Sequence, residues 1–213
     1  MIRSLLSITM VLAASATAAV AAGAYKYEPA GAPPAELAPA VLAELQEKGH
    51  RVLSADGKVW CELWFRKEAP KSAPSTEADV TWKTIAPGAL VGAIKWPAQG
   101  SDRRGQQIKP GVYTLRYGMF PLNGDHQGVA PQRDFLVMSP AAMDQKTDAV
   151  GKFEDLMNFS RKVSGAAHPA VLSMWLVESG FEPGLSQAGE HDWALQAAVG
   201  EAKISLILVG KAE

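Results

Sequence analysis

The chain has 213 residues, with 21 Lys and Arg against 22 Asp and Glu and a net charge of −1. That balance supplies no basic surface for nucleic acid or an anionic membrane, so neither is expected as a partner. A single cysteine excludes an intramolecular disulfide, so stability must come from packing, and the length suits one sizeable core.

The first element is a targeting signal. Arg3 gives a short positive region, Leu5 to Val11 open an apolar run, and small residues then recur in A-x-A spacing at Ala16/Ala18, Ala19/Ala21 and Ala22/Ala24. This three-part layout reads as a signal peptide over residues 1–24. A spanning helix would need about 20 predominantly apolar residues. Here the run fades into Ala, Ser, Thr and Gly, and no Lys/Arg cluster follows it. The expectation is therefore a bacterial, exported protein, periplasmic or secreted, with no transmembrane anchor after cleavage.

Residues 25–38, rich in Pro, Ala and Gly, read as a linker, which leaves 39–213 as a single β-sandwich domain. Pro39 suits a first helical position and Gly49 a helix stop, so a short helix is predicted from 39 to 48. Asp56-Gly57 marks a hairpin between two apolar runs. In the second run Val59, Cys61, Leu63 and Phe65 alternate with Trp60, Glu62, Trp64 and Arg66, the period of a strand. Cys61 falls on the apolar side, as an inert buried thiol would. Further strands are predicted at "VTWKTI", "ALVGAIKW", "VYTLRYGMF" and "RDFLVM". A helix follows from Asp148, its expected cap, to Val163. "AVLSMWLV", "DWALQAAV" and "KISLILVG" close the chain as strands. The fold class is mainly β: an antiparallel sandwich of about eight strands with two short peripheral helices. Helices do not alternate with strands, which disfavours a doubly wound nucleotide fold.

The segments "IAPGALVGAIKW", "RGQQIKPGVYTLRYGMFPLNGDHQGVAPQRDFLV" and "HPAVLSMWLV" resemble a group of uncharacterised exported bacterial β-sandwich proteins. The resemblance spans roughly residues 40–210. It implies a sandwich located in the envelope or outside the cell, and it carries over no activity and no catalytic residue.

Candidate chemistry concentrates in the 123–134 loop. Asp125 and His126 stand there on a glycine-rich backbone, and Arg133 and Asp134 open the next strand. Ordinary turn chemistry accounts for much of this loop as well. None of His50, His126, His168 and His191 pairs with another at metal-ligand spacing, and H-E-x-x-H is absent. A metal or hydrolytic site would have to be assembled at a distance, from His126 and His168 with Asp125 or Asp134. Neither G-x-S-x-G nor S-x-x-K occurs. Six tryptophans read mainly as core, and an exposed Trp60/Trp64 pair would be a binding platform. The Asn158-Phe159-Ser160 sequon reads as chance, and Arg103-Arg104 as a solvated loop. No cofactor is implied. The leading expectation is a non-enzymatic binding or envelope-associated module whose partner is a small molecule, a glycan or an envelope protein. Its candidate ligand residues are Asp125, His126, Arg133, Asp134 and His168. The alternative is a metal-binding protein or hydrolase near the 123–134 loop.

Overall fold

Most of the alternating segments become paired strands in the computed structural model, which describes residues 25–123, 130, 132–177 and 179–211. Seven strands form one antiparallel sheet: β1 (Lys26–Ala30), β2 (Gly49–Leu53), β3 (Val59–Phe65), β4 (Leu90–Trp96), β7 (Gly111–Met119), β8 (Asp134–Pro140) and β9 (Val171–Ser173), in that spatial order. The short strands β5 (Gly100–Ser101) and β6 (Gln107–Ile108) pair with each other. A three-stranded sheet holds β10 (Gly184–Ala188), β11 (Asp192–Val199) and β12 (Ala202–Val209). Two helices, α1 (Pro39–Glu44) and α2 (Phe153–Ser164), pack on the outside of the large sheet.

The large sheet curls over the small one. At one seam Met174 bridges Leu206, and the Trp175 N–H donates to the Ser205 carbonyl at 2.8 Å. At the other, β1 lies beside β10. The enclosed core takes Cys61, Leu63 and Phe65 from β3, Tyr113, Leu115 and Tyr117 from β7, and Leu195, Ile204, Leu206 and Leu208 from the small sheet. This is the mainly antiparallel, sandwich-like body that the alternation predicts. The outer face of the large sheet carries two smaller apolar clusters. Trp64, Leu90 and Ala93 pack with Val41 of α1, and Phe135, Val137 and Val171 pack with Leu156 and Met157 of α2.

Several elements differ from expectation. The 25–38 stretch does not run as a plain linker. Its residues 26–30 pair with β2 from Lys26↔Leu53 to Ala30↔Gly49. Pro29 is tolerated there because β1 stands at the sheet's edge. The β10 strand, Gly-Leu-Ser-Gln-Ala, has too few apolar residues to announce itself; with β1 and the two-residue β5 and β6 it brings the strands among the described residues to twelve rather than about eight. Residues 80–85 form no strand. The long helix starts at Phe153 rather than near Asp148, with Lys152 as cap and Gly165 ending it at φ 68°.

The Trp60/Trp64 pair is not a platform, because a bulge separates the two rings. Val52 faces Cys61 and Leu53 faces Val59, so Trp60 is the extra residue in the ladder. Its ring meets Trp96 edge-on at 5.4 Å between centroids, and its Nε1–H donates to the Leu208 carbonyl at 3.0 Å. Trp64 is buried on the opposite face, donating to the Gly31 carbonyl at 2.8 Å.

Candidate functional site

Asp134 begins β8 and is fully buried. Its carboxylate accepts from the Thr81 N–H at 2.9 Å, the Trp82 N–H at 3.2 Å and the Tyr117 hydroxyl at 2.6 Å. Burial, with this hydrogen bond second, drives the Tyr117 pKa far above its usual 10. These bonds explain why residues 80–85 are not a strand: the Thr81 and Trp82 N–H groups go to a carboxylate rather than to a ladder. Arg133 strengthens the same strap. It donates to the Ala78 carbonyl at 2.5 Å and the Phe120 carbonyl at 2.8 Å, and pairs with Glu77 at 3.1 Å. Both residues are thus engaged in holding the 77–82 segment. His168 is exposed beyond α2, where its backbone carbonyl accepts from the Ser164 hydroxyl at 2.8 Å. Asp125 and His126 lie outside the described residues. Among the described residues, no three His, Cys, Asp or Glu side chains are grouped to hold a metal.

Cys61 sits in the core, where burial pushes its thiol well above the ordinary range. Arg103, read as solvated, instead lies against β11 and grips the buried Asp192 at 3.0 to 3.1 Å through two nitrogens. The neighbouring His191 lies in the turn before β11 and is exposed.

The arrangement that the sequence did not flag centres on Arg116. Its place in the register is between Leu90 of β4 and Val137 of β8, an apolar row on the outer face, and its exposure is 0%. A charge there must be paired. Asp144, from the segment after β8, meets it in a fork, with Nε–Oδ2 2.5 Å and a terminal nitrogen–Oδ1 2.7 Å. The remaining donors reach the carbonyls of Gly88 at 2.7 Å, Lys146 at 2.6 Å and Asp148 at 2.8 Å. All five guanidinium N–H groups are therefore used. Thr114, two positions back on β7, donates its hydroxyl to the same carboxylate. One side chain thus pins an irregular segment, 144–148, by its backbone. Gly88 closes the other side. It has φ +82°, its carbonyl also accepts from the Val150 N–H at 3.1 Å, and a Cβ there would run into the Val150 carbonyl.

The pinned segment and one face of α2 are the walls of a cleft of about 610 Å³, with Arg116 and Asp144 at its base. Met143, 47% exposed, and the half-buried Phe159 give apolar surface. Lys146 and Asp148 on the segment, and Asp155 on the first turn of α2, give charge. The volume falls within the range of small-molecule sites, which join an apolar lining to a few placed polar groups. The base is neutral overall, because the Arg116 and Asp144 charges are paired with each other, while the charges of Lys146, Asp148 and Asp155 are exposed around it. No family model, curated protein or solved structure matches this chain.

Proposed function

We propose that the chain is an exported, non-enzymatic binding module of the cell envelope that takes a small amphipathic molecule, a glycan fragment above all, in the cleft between residues 143–150 and α2. The leader-like residues 1–24 support export. The observation that carries the binding reading is a cleft of about 610 Å³ whose base is locked by the Arg116–Asp144 fork while Asp148, Asp155 and Lys146 remain available at its rim. Carboxylates suit hydroxyl donors, and the Phe159 ring and Met143 suit the apolar face of a sugar ring. The buried acid Asp134 is occupied by donors from its own chain, which supports locating the ligand here rather than on the strand that follows the 123–134 loop.

The test is a titration of the purified chain against soluble oligosaccharides of neutral and amino sugars, read by calorimetry and repeated with a Phe159→Ala/Asp155→Ala double variant. The expected result is binding of at least one oligosaccharide, weakened ten-fold or more in a variant whose thermal midpoint is within a few degrees of the parent. Binding by neither protein, or equal binding by both, overturns the reading.

A further inference from the structure

The polar groups of the cleft divide into those spent within the chain and those left for a ligand. Arg116 and Asp144 occupy each other at the base. Glu154, on the first turn of α2, is engaged by Arg161 at 3.0 Å. The same arginine donates to the Asn158 side-chain oxygen at 2.7 Å, which leaves the Asn158 amide N–H groups as the end that faces a ligand. The Gln145 amide has the opposite sense: its nitrogen donates to the Ala142 carbonyl at 3.0 Å, and its oxygen is left as an acceptor.

The carboxylates of Asp148, on the pinned segment, and Asp155, on α2, both line the cleft and are exposed. Among the described residues, neither accepts a hydrogen bond or joins an ion pair. Against these two carboxylates stands one ammonium, that of Lys146. The unspent groups are therefore richer in acceptors than in donors and carry more negative than positive charge. They surround the apolar surface of Phe159 and Met143. A ligand that matches them brings donors, a positive charge and an apolar ring face.

We propose that the cleft selects a sugar bearing a free, protonated primary amine, held by Asp148 and Asp155, over its N-acetylated and neutral counterparts. This inference rests on the glycan reading of the same cleft. An ammonium has three donors and no acceptor, so it suits a pair of carboxylates. Lys146 and the Asn158 N–H groups donate to hydroxyl oxygens, and the Phe159 ring covers the C–H face of the sugar. Acetylation exchanges the three donors for one N–H, removes the charge and sets a carbonyl oxygen against acceptors. A hydroxyl in the same place keeps one donor and no charge. Because the two carboxylates are exposed, the preference is moderate and sensitive to salt.

The test is a calorimetric titration of the purified chain with oligosaccharides of equal length built from glucosamine, N-acetylglucosamine or glucose. It is run in low salt at about pH 6, where the sugar amine carries its proton. The free-amine oligomer is expected to bind at least about five-fold more tightly than either of the others, and the advantage should shrink below about two-fold in about 1 M salt. The double variant Asp148→Asn/Asp155→Asn keeps the Asp148 carbonyl that Arg116 holds. It should melt with the parent and bind all three oligomers alike. Asp155→Asn alone should lose part of the preference, and Glu201→Gln, on the turn between β11 and β12, should lose none. Equal binding of the three oligomers by the parent, or a preference for the acetylated or neutral one, overturns the amine assignment and leaves the glycan reading standing. A preference that survives in both aspartate variants, or that falls as far in Glu201→Gln, assigns the attraction to general surface charge and overturns it too. Binding of none of the three overturns both readings.

Discussion

Two buried carboxylates, Asp134 and Asp144, do the same job by different chemistry. Each ties an irregular segment to the large sheet. Asp134 belongs to the sheet and receives neutral donors, two backbone N–H groups of the 77–82 strap and the Tyr117 hydroxyl. Asp144 belongs to the segment and is received by a charged donor in the sheet, Arg116, which also holds three backbone carbonyls. The first arrangement fails gradually, because each bond is a separate modest contribution. The second is closer to all-or-none, since losing either partner strands an ion inside an apolar row.

The sharpest way to break this comparison is Arg116→Met. It leaves Asp144 buried without its countercharge and should cost about 3–5 kcal/mol of unfolding free energy, read from urea titration. Adding Asp144→Leu should restore part of that loss, because replacing both ions by apolar groups is often neutral. Recovery stays incomplete, since the carbonyls of Lys146 and Asp148 still lack the arginine's donors and that of Gly88 keeps only the Val150 N–H. If the double variant is no more stable than the single, the stranded charge is not what the arginine prevents. Asp134→Asn comes next, at about 1–3 kcal/mol. The amide keeps one acceptor but points an N–H at a donor. Its signature is local: limited proteolysis should accelerate within residues 77–82 while the 143–150 segment stays protected, and cleavage of both at equal rates would contradict the separation of the two straps.

The two carboxylates also show where sequence reading succeeds and where it stops. Alternation located β3 and β7, and short apolar runs located β4, β11 and β12, because each strand has one face in the common core. Strand alternation sets Arg116 on the face of β7 opposite Tyr113, Leu115 and Tyr117, but a strand pattern does not tell an outward position in water from one beneath a second layer. The covering segment, 141–150, has no periodicity of its own. Asp134 had the opposite fate: adjacent to a glycine-rich loop, it read as a ligand residue, and its three donors come from residues 81, 82 and 117, distant in sequence. Asp148 was expected to cap α2, but its carbonyl is taken by Arg116, and the helix begins after it. In each case the deciding partner is a long-range one. Tyr25, whose ring packs against Trp60 and Trp193, was missed for the same reason.

A weaker effect sharpens the comparison through an uncharged group. His50 lies beside Phe65, and the Tyr27 hydroxyl is 3.1 Å from its Nδ1. Burial holds its pKa below the ordinary 6.5. The unfolded chain then takes up the proton first as pH falls. Stability from this site is complete above about pH 6.5 and declines as pH drops through that value toward the native pKa, below which it levels off. His50→Gln should flatten that part of the stability–pH curve without moving the plateau at lower pH relative to its own value at neutrality. Denaturant midpoints between pH 7.5 and 5 decide it, and a slope unchanged in the variant assigns the effect elsewhere.

The smallest effect belongs to the outermost bond of the Asp134 strap. Glu77 meets Arg133 at 3.1 Å, but its side chain is 47% exposed. Water and salt screen that pair, and Arg133 keeps the carbonyls of Ala78 and Phe120 whether or not the carboxylate is there. Glu77→Gln should therefore cost only about 0.2–1 kcal/mol, and the difference should disappear in about 1 M salt, where the screening length falls to roughly 3 Å. Arg116→Met should keep its cost in the same salt, because its pair is closed to solvent. A Glu77→Gln effect that persists at high salt would mean that the strap's rim is as dry as the base of the cleft, and the contrast between a graded tie and an all-or-none one would then lose its physical basis.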